Sequence, residues 1–543
     1  MNTASETAHS EFEHASRNEP DRDARYFLIG AGIASLAAAA FLCRDGAVDG
    51  KQIVVIEALD DVGGSLDAEG SAQYGYVMRG TRTLEYRYVC TYDLFSCIPT
   101  LQGDRSVTGE IFDWNNSRRS ANNVRLLRDG HRLSTPEFQL TESHIASLRR
   151  TITDSEASLN GIAIDDVFDK SFFHTNAWLM WSATFGFRSW HSAAEFRRHL
   201  SCFAHMIPSS DQLRGTLHSV FNQYHSLVRP LAKWLSDQGV TFSLNTRVTD
   251  LEFTARDDDI RVHSIRFMRG TSEGQYALDD NDKVIITLGS MTEGASQGAM
   301  DRPARYSGKP SAGAWNFWET IARGRPAFGR PEVFSAYVEK SQWLSFTLTL
   351  RRSEFSRLIR NYTDNDPGEG GVVTFARSSW LISLTLPHQP HFPGQPDDIE
   401  VFWGHGISIE LPGDFVRKPM HQCTGREIMI ELLGHLGMPA ESRRILEGAV
   451  CIPCYMPYAT AQFLRRKKGD RPEVAPPGYS NIALIGQFCE LPDDIVFTIE
   501  YSVRSAQTAV YRLLGLDKLP PPVCMDPQGA GSIDGLLRAC MQH

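Results

Sequence analysis

Apolar residues near the start of the chain form two short runs on either side of a longer stretch of small residues. The first run is YFLI (26–29), the stretch GAGIASLAAAAFLCRDG follows, and the second run lies in QIVVIE (52–57). Short apolar runs are typical of buried strands, whereas the alanine-rich stretch has the length and composition of a helix. The pattern therefore predicts a strand, a tight glycine turn, a helix and a second strand.

Later parts of the chain return to the same strand pattern. GVTFSLNTRVTDL (239–251) and KVIITLG (283–289) are rich in β-branched residues, and Ile482–Ile485 forms another apolar run, before a helix expected from about Tyr501. Distant segments that return to one sheet are typical of doubly wound α/β folds. The predicted fold class is therefore α/β, with a doubly wound, Rossmann-like nucleotide-binding domain and an inserted mixed α+β domain.

The chain between these returns has a different character. Residues 100–235 read as largely helical, and residues 310–410 alternate aromatic and β-branched side chains. Both segments are candidates for the inserted domain. The predicted division is a disordered, acidic lead at 1–24, a nucleotide-binding domain at 25–100, 216–300 and 441–516, a substrate-binding domain at 101–215 and 301–440, and a tail at 517–543.

Composition narrows the class of protein. With 55 Lys and Arg against 65 Asp and Glu, the net charge of −10 gives no reason to expect a nucleic-acid partner. The ten cysteines are too few for a disulfide scaffold, and the Cys451/Cys454 pair has no second pair at zinc spacing, so no metal site is expected. The lead has no apolar segment typical of a signal peptide, and no apolar run is long enough to span a bilayer, so we expect a cytoplasmic protein.

The first glycine turn has the features of a dinucleotide site. Gly30 and Gly32 let the backbone approach a pyrophosphate at the start of the helix, and Ser35 is small enough for close packing of helix on strand. Glu57 follows the second strand, where a carboxylate can bind ribose hydroxyls. The pair Gly63 and Gly64, followed by Ser65, is more typical of flavin enzymes than of nicotinamide enzymes. We therefore expect FAD as the cofactor.

An unusual stretch follows the glycine pair. YGYVMRGTRTLEYRYVC (74–90) places one carboxylate, Glu85, among three arginines and several aromatic rings. Glu85 could be a catalytic group, or it could pair with Arg82 or Arg87 on the surface. Arg79 and Arg82 could hold FAD phosphates, a substrate carboxylate or Glu85 itself.

Several segments together carry a resemblance to a known family. They are RGTRTLE (79–85), WLMWSATFGFRSWHSAAEFRR (178–198), FNQYHSL (221–227), SLTLPHQPHFPGQP (383–396) and GQFCELPDDIVFTIEYSVRSA (486–506). With the nucleotide fold they resemble the oleate hydratase family, flavoproteins once called myosin-cross-reactive antigens. The resemblance extends from residue 25 to about residue 516.

The resemblance implies hydration of the cis double bond of a free unsaturated fatty acid, typically oleate to 10-hydroxystearate, with FAD bound and no net electron transfer. In this family a glutamate directly after the second arginine of the RGTRTLE segment orients the water. Thr83 stands there in this chain, and Glu85 is the nearest carboxylate. His199 stands where the family has its tyrosine proton donor, and Tyr224 is an alternative donor. The candidate catalytic residues are therefore Glu85, His199, Thr83, Arg82 and Tyr224.

The resemblance also indicates binding residues. Gln223, Thr385 and His391 match substrate-contacting polar positions, Pro387 replaces an asparagine, and Met78 and Trp190 are expected to line an apolar tunnel. The expected FAD-binding positions are Gly30, Gly32, Ser35, Glu57, Gly63, Gly64, Ser65, Arg79, Gly80, Gly289, Gly486, Phe497 and Ser502.

Other functions and partners stay open at this point. A flavin oxidoreductase or isomerase acting on unsaturated fatty acids is the main alternative, because both expected acid–base residues are altered, and a fatty-acid binding protein without catalysis is another. The expected partners are the fatty acid and water. Arg465–Lys468 reads as a solvated basic loop that could contact a membrane surface. The protein could be a monomer or a homodimer.

Overall fold

The computed structural model describes residues 23–523, except 119, 129, 133–137, 204, 205, 207–211, 257, 258, 352 and 353. The predicted disordered lead lies outside the described residues up to residue 22, and the predicted tail lies outside them from residue 524.

The described residues form strands of two to eleven residues. They are β1 (Tyr26–Ile29), β2 (Ile53–Ile56), β3 (Ala68–Ser71), β4 (Gly75–Met78), β5 (Leu84–Glu85), β6 (Leu126–Arg128), β7 (His131–Arg132), β8 (Thr216–Leu217), β9 (Thr241–Ser243), β10 (Thr246–Arg256), β11 (Asp259–Arg269), β12 (Ser272–Ala277), β13 (Lys283–Thr287), β14 (Ser296–Gln297), β15 (Trp343–Arg351), β16 (Val372–Phe375), β17 (Ser383–Thr385), β18 (Ile399–Gly406), β19 (Ala449–Met456) and β20 (Ile482–Ile485).

The α-helices lie mostly between these strands. They are α1 (Ile33–Arg44), α2 (Val89–Ser96), α3 (Val107–Asn116), α4 (Glu142–Thr153), α5 (Asn176–Phe185), α6 (Ala193–Cys202), α7 (Arg229–Asp237), α8 (Ala314–Ala322), α9 (Glu332–Ser335), α10 (Val338–Ser341), α11 (Glu354–Thr363), α12 (Gly425–His435), α13 (Ser442–Gly448) and α14 (Ile499–Leu513). A π-helical turn at Tyr224–Val228 leads into α7. None of the helices in the described part of the chain has both the length and the apolar character needed to cross a bilayer.

The first sheet confirms the predicted nucleotide-binding fold. Its five strands are all parallel, in the order β20–β13–β1–β2–β9. The central strand β1 is buried along its whole length, as expected of a strand covered on both faces. Helix α1 connects β1 to β2 and packs against α14. Because the strands are parallel, the carboxyl ends of β1, β13 and β20 meet at one edge of the sheet. The expected returns at 283–289 and Ile482–Ile485 join this sheet as β13 and β20. Of the segment 239–251 only β9 joins it, whereas β10 belongs to a separate antiparallel sheet with β11 and β12, so that part of the prediction is wrong.

The second sheet forms most of the inserted domain. It has eight strands in the order β14–β19–β15–β18–β17–β16–β6–β7, antiparallel except for the pair β16 and β6. Strands β14 and β19 belong to this sheet although they fall in the segments 216–300 and 441–516, which the sequence division assigned to the nucleotide-binding domain. Because β19 pairs directly with β15, the inserted domain extends beyond residue 440. The other domain boundaries stay predictions.

The two faces of the second sheet have different chemistry. In β15, the side chains of Leu344, Phe346, Leu348 and Leu350 enter an apolar core. The alternate residues Trp343, Ser345, Thr347 and Thr349 lie on the other face, because side chains alternate along a strand. On this face Thr349 and Thr347 accept hydrogen bonds from the backbone N–H groups of Tyr76 and Met78. The more polar face therefore meets the chain that follows the glycine loop.

Candidate functional site

The glycine turn after β1 is held tightly to the neighbouring strands. Gly30 adopts φ of +93° and donates a backbone hydrogen bond to Ile56 at 2.8 Å, and Gly63, at φ +117°, donates one to Ala31 at 2.8 Å. Gly64 packs so closely that an added Cβ would lie 3.2 Å from Gly32 Cα. Residues with side chains would strain both turns.

The start of α1 leaves room for a ligand. A Cβ added to Gly32 or to Gly80 would have no neighbour within 4 Å. Gly32 is the N-cap of α1 and no side chain caps the helix, so the first N–H groups of α1 are available to an anion. These features fit the pyrophosphate of a dinucleotide such as FAD. Ser35 instead bonds Thr287 Oγ1 at 2.9 Å and joins the helix to β13.

Glu57 lies at the same edge of the sheet. Its carboxylate accepts backbone hydrogen bonds from Ala31 at 2.7 Å and Leu59 at 3.0 Å. Burial raises the pKa of Glu57, and the backbone N–H groups act in the opposite direction. Glu57 thus fixes the glycine turn, and its predicted bond to a ribose stays a prediction.

The positions late in the chain that are predicted to bind FAD lie near the ends of β13 and β20. Gly289 adopts φ of +60°, and an added Cβ would meet Phe488 and Trp315, each at 2.9 Å. Gly486 donates a backbone hydrogen bond to Ser505 Oγ at 2.9 Å, and Ser502 Oγ accepts one from Gln487 Nε2 at 2.8 Å. These contacts bring the start of α14 to the strand ends, where a helix N-terminus favours negative charge.

Both arginines of the RGTRTLE segment hold parts of the glycine loop. Arg82 donates to the backbone oxygen and to Oγ of Ser65, at 3.1 and 3.2 Å, and Arg79 pairs with Asp67 at 2.9 Å. Gln223 Nε2 donates to the backbone oxygen of Arg82 at 2.6 Å. Burial lowers the pKa of Arg82 to about 10, so the guanidinium stays charged at neutral pH.

Glu85 does not face the same space as these arginines. Its Oε2 accepts a hydrogen bond from the backbone N–H of Arg87 at 2.9 Å, and Arg87 Nε lies 4.0 Å from Oε1. The residue pairs with Thr216 through the short strands β5 and β8. This arrangement matches the pairing with Arg87 that the sequence left open. Catalysis by Glu85 stays a prediction that this conformation does not favour, and the role of the partly exposed Thr83 stays a prediction.

The two candidate proton donors lie in different surroundings. His199 lies on α6 among the rings of Phe185, Phe187 and Phe463, and its Nδ1 lies 2.9 Å from the backbone oxygen of Glu195. Burial lowers the pKa of His199 to about 4, so the ring is neutral near pH 7 and does not favour an acid. Tyr224 donates its hydroxyl hydrogen to Asp61, and burial, followed by this bond, raises the pKa of Tyr224.

Two cavities share a lining residue, and one of them lies next to the RGTRTLE segment. We call the first the apolar cavity. It has an empty volume of about 760 Å³ and is enclosed by apolar side chains of α4, α5 and α6 together with Phe138, Met206 and Leu213. The second, of about 590 Å³, we call the loop cavity, because Arg79–Arg82 form one of its walls. Thr184 lines both cavities, which therefore adjoin at this residue.

None of the predicted substrate-binding residues is among the side chains that line the loop cavity or the apolar cavity. Thr385 pairs with the lining residues Val372 and Trp403 in the sheet, and its buried Oγ1 has no partner in the described part of the chain. The backbone oxygen of His391 accepts two hydrogen bonds from Asn222, each at 3.0 Å, next to Gln223.

The other three predicted positions differ in their surroundings. Pro387 is buried two residues after Thr385, and Met78 is buried on β4. Trp190 donates its indole N–H to the backbone oxygen of Lys340 at 3.0 Å and stacks with Arg188, so its expected place in the tunnel stays a prediction without support from these contacts.

The sequence did not identify three further residues that line the loop cavity. Trp343, Trp403 and His405 line the loop cavity on the more polar face of the second sheet. The alternation in WLSFTLTL and EVFWGHG indicates strands, but it does not tell which face meets the glycine loop.

The segment Arg465–Lys468 is only partly the solvated basic loop that the sequence suggests. Arg465, Lys467 and Lys468 are exposed, whereas Arg466 is buried and pairs with the buried Glu195 at 2.6 Å. Arg466 is therefore part of the protein interior.

Cys451 and Cys454 are both buried free thiols in β19.

Comparison with known proteins agrees with this arrangement. A model of the MCRA family matches residues 23–511. The chain belongs to the MCRA family.

Two characterised relatives of this MCRA protein are similar over most of their length. An oleate hydratase from Streptococcus pyogenes serotype M49 (strain NZ131) is 34% identical over 500 residues, which cover 90% of this chain and 85% of the relative. A linoleate hydratase from Lactiplantibacillus plantarum is 32% identical over 532 residues, which cover 90% of this chain and 93% of the relative.

Solved structures share the fold of the MCRA protein at low identity. A putrescine oxidase bound to putrescine is 13% identical with a TM-score of 0.53, and cyclohexylamine oxidase from Brevibacterium oxydans IH-35A is 14% identical with a TM-score of 0.50. In each case the match covers 91% of this chain and 99% of the other. These likenesses describe the fold alone.

Proposed function

We propose that this MCRA-family protein adds water across the cis double bond of a free unsaturated fatty acid such as oleate. The observation that carries the proposal is the pair of adjoining cavities. The apolar cavity offers a hydrocarbon chain a dry wall of aromatic and aliphatic side chains, and it meets, at Thr184, the loop cavity beside the nucleotide-binding turns. The two hydratases that the chain resembles support the same reaction class.

FAD is the cofactor that we propose for the glycine loops. The free N–H groups at the start of α1 and the open space at Gly32 and Gly80 would hold its pyrophosphate and leave the backbone in reach of its ring system. When bound, FAD supplies a planar, polar surface at the reaction site without net electron transfer. Arg82 fixes Ser65 in the glycine loop, and Gln223 fixes the backbone of Arg82.

Different residues of the chain would bind the substrate and stabilise charge during the reaction. Burial of the hydrocarbon tail in the apolar cavity stabilises the complex by about 0.8 kcal/mol for each methylene group. The indole faces of Trp343 and Trp403 line the loop cavity, where an electron-rich surface stabilises positive charge on the hydrated carbon. Buried polar atoms such as Thr385 Oγ1 remain to bind the polar end of the substrate.

A labelled-water assay tests the proposal. The purified protein, reconstituted with FAD, is incubated with oleate in oxygen-18 water without NAD(P)H, and the products are analysed by mass spectrometry. We expect a hydroxy fatty acid that carries the heavy oxygen, with no oxygen consumption.

Other products would point to the alternative functions. A shifted double bond without labelled oxygen, or consumption of oxygen, would indicate a flavin isomerase or oxidoreductase. Tight binding of oleate without any product would indicate a binding protein.

A further inference from the structure

We propose that His405 is the residue that orients and deprotonates the attacking water in this protein. The inference rests on the proposed hydration and assigns the catalytic base of that same site. His405 lies on β18, and neither the family resemblance nor the hydrophobic pattern of the chain points to it.

The position of His405 points to a ligand. The side chain is 3% exposed and lines the loop cavity with Arg82 and Thr184. In the sheet it pairs with Ser345 on β15 and Ser383 on β17. Neither of its ring nitrogens makes a hydrogen bond of ordinary geometry to any described residue. Buried polar atoms without partners are rare in folded proteins, and in a cavity they are suited to bind water or substrate.

Two tryptophans next to His405 also carry buried polar atoms without a hydrogen-bond partner among the described residues. The rings of Trp343 and Trp403 lie 5.0 and 4.9 Å from the imidazole, at interplanar angles of 25° and 34°. The indole N–H groups of both tryptophans are also buried without a partner among the described residues. Two aromatic faces beside an imidazole favour its protonated form once a proton arrives, because cations are attracted to aromatic faces. The geometry therefore suits a base that gains positive charge during the reaction.

The loop cavity offers no carboxylate for the same task. Among the described residues that line it there is no aspartate or glutamate. Glu85 faces the backbone of Arg87 instead. The charged residues that line the cavity are Arg79, which pairs with Asp67, and Arg82, and Arg125 donates a hydrogen bond to Oγ1 of the lining residue Thr184. Nearby arginine favours the neutral form of the resting imidazole, and the two indole rings offset the positive charge that the imidazole gains when it accepts a proton.

The charge state of His405 agrees with this role. Burial lowers the pKa of His405 to about 4, the nearby backbone oxygen of Ala183 acts in the opposite direction, and Arg125 lowers it further. At pH 7 the ring is neutral and one nitrogen presents a lone pair.

The proposed step conserves atoms and charge. One alkene carbon takes a proton that comes from solvent, and the water oxygen forms a bond to the other carbon. The proton that this oxygen loses passes to a ring nitrogen of His405 and then returns to solvent. One water molecule is consumed and no redox partner is required.

The first test is the variant His405→Phe, which keeps a ring of similar size between the tryptophans but removes both nitrogens. General-base catalysis typically contributes 10²–10⁴-fold, so we expect kcat for oleate to fall roughly 100-fold or more. The KM for oleate and the bound FAD content should stay within about twofold, since the base acts in the transition state. The matched control is His263→Phe, a half-exposed histidine on β11 that lines neither cavity, which should keep wild-type kcat.

The second test separates a base from a structural residue. In His405→Ala, added imidazole should restore at least a tenth of the wild-type rate, with a dependence on pH that follows neutral imidazole. A residue that only supports the fold would not be rescued in this way.

The outcomes distinguish this inference from the proposed function. If wild-type protein makes labelled hydroxy acid but His405→Phe retains kcat within threefold, the assignment of His405 is wrong and the hydration stands. If His405→Phe loses FAD, the imidazole experiment decides, and absence of rescue overturns the assignment. If wild-type protein makes no hydroxy acid, the proposed function itself fails.

Discussion

The apolar cavity and the loop cavity adjoin at Thr184, but their walls have opposite chemistry. The described side chains around the apolar cavity are hydrocarbon or aromatic except for Thr184. The loop cavity is lined by Arg79, Arg82 and His405 together with aromatic faces. The apolar cavity can distinguish substrates only by size and shape. The loop cavity contains side chains that can accept a proton or stabilise a charge. Changes in the first should therefore alter which fatty acid reacts, and changes in the second should alter how fast it reacts.

The largest expected effect comes from filling the apolar cavity. Ala177 lies on α5 in its wall, and Ala177→Phe places a ring where a hydrocarbon tail would lie. Palmitoleate is two methylenes shorter than oleate on the methyl side of the same double bond, so it should tolerate the ring better. At about 0.8 kcal/mol per methylene, we expect the ratio of kcat/KM for oleate over palmitoleate to fall roughly tenfold.

Steady-state kinetics with both acids measure this ratio, and Ala177→Ser is the control at the same position. An equal loss for both acids would mean that the tail does not enter the apolar cavity. It would also mean that the two cavities do not separately control substrate choice and reaction rate.

A smaller effect is expected from the aromatic wall of the loop cavity. Trp403→Leu removes an indole face while keeping an apolar side chain on β18. Because Trp343 remains in the cavity wall, we expect a loss at the low end of the cation–π range, about 0.5–1 kcal/mol, so kcat should fall roughly 2- to 5-fold with little change in KM. The adjacent Phe402 points into the apolar core on the other face, and Phe402→Leu should lower thermal stability but not kcat. A rise in KM with unchanged kcat for Trp403→Leu would mean that this residue only binds substrate.

The nucleotide-binding region could be predicted closely from sequence because its signals are local. The bounds predicted for β1 and β20, Tyr26–Ile29 and Ile482–Ile485, are the bounds in the structure. Gly30 and Gly63 have the positive φ angles that a glycine turn requires. Strand, turn and helix lie within one short segment, so no distant contact had to be inferred.

The reactive region could not be predicted in the same way because it depends on distant contacts. The direction of the Glu85 side chain follows from the pairing of β5 with β8, and the surroundings of His199 include Phe463 from far along the chain. His405 reaches the site because its face of the second sheet meets the loop after β4. Periodicity finds a strand but does not choose its partner face, so a histidine in EVFWGHG carries no functional signal by itself.

The last expected effect is on stability in acid rather than on rate, and it again separates polar from apolar surroundings. His199 is neutral in its aromatic surroundings, with a pKa lowered from 6.5 to about 4. Because the unfolded chain binds the proton more readily, this residue stabilises the fold above pH 6.5, and the contribution is lost as pH falls toward 4. The slope approaches about 1.4 kcal/mol per pH unit for one proton. In His199→Phe, the free energy of unfolding, measured by urea titration between pH 7 and pH 4, should therefore fall less steeply than in wild type. Equal slopes for His199→Phe and wild type would mean that the fold does not lower the pKa of His199, and the argument against this histidine as a proton donor would then fail.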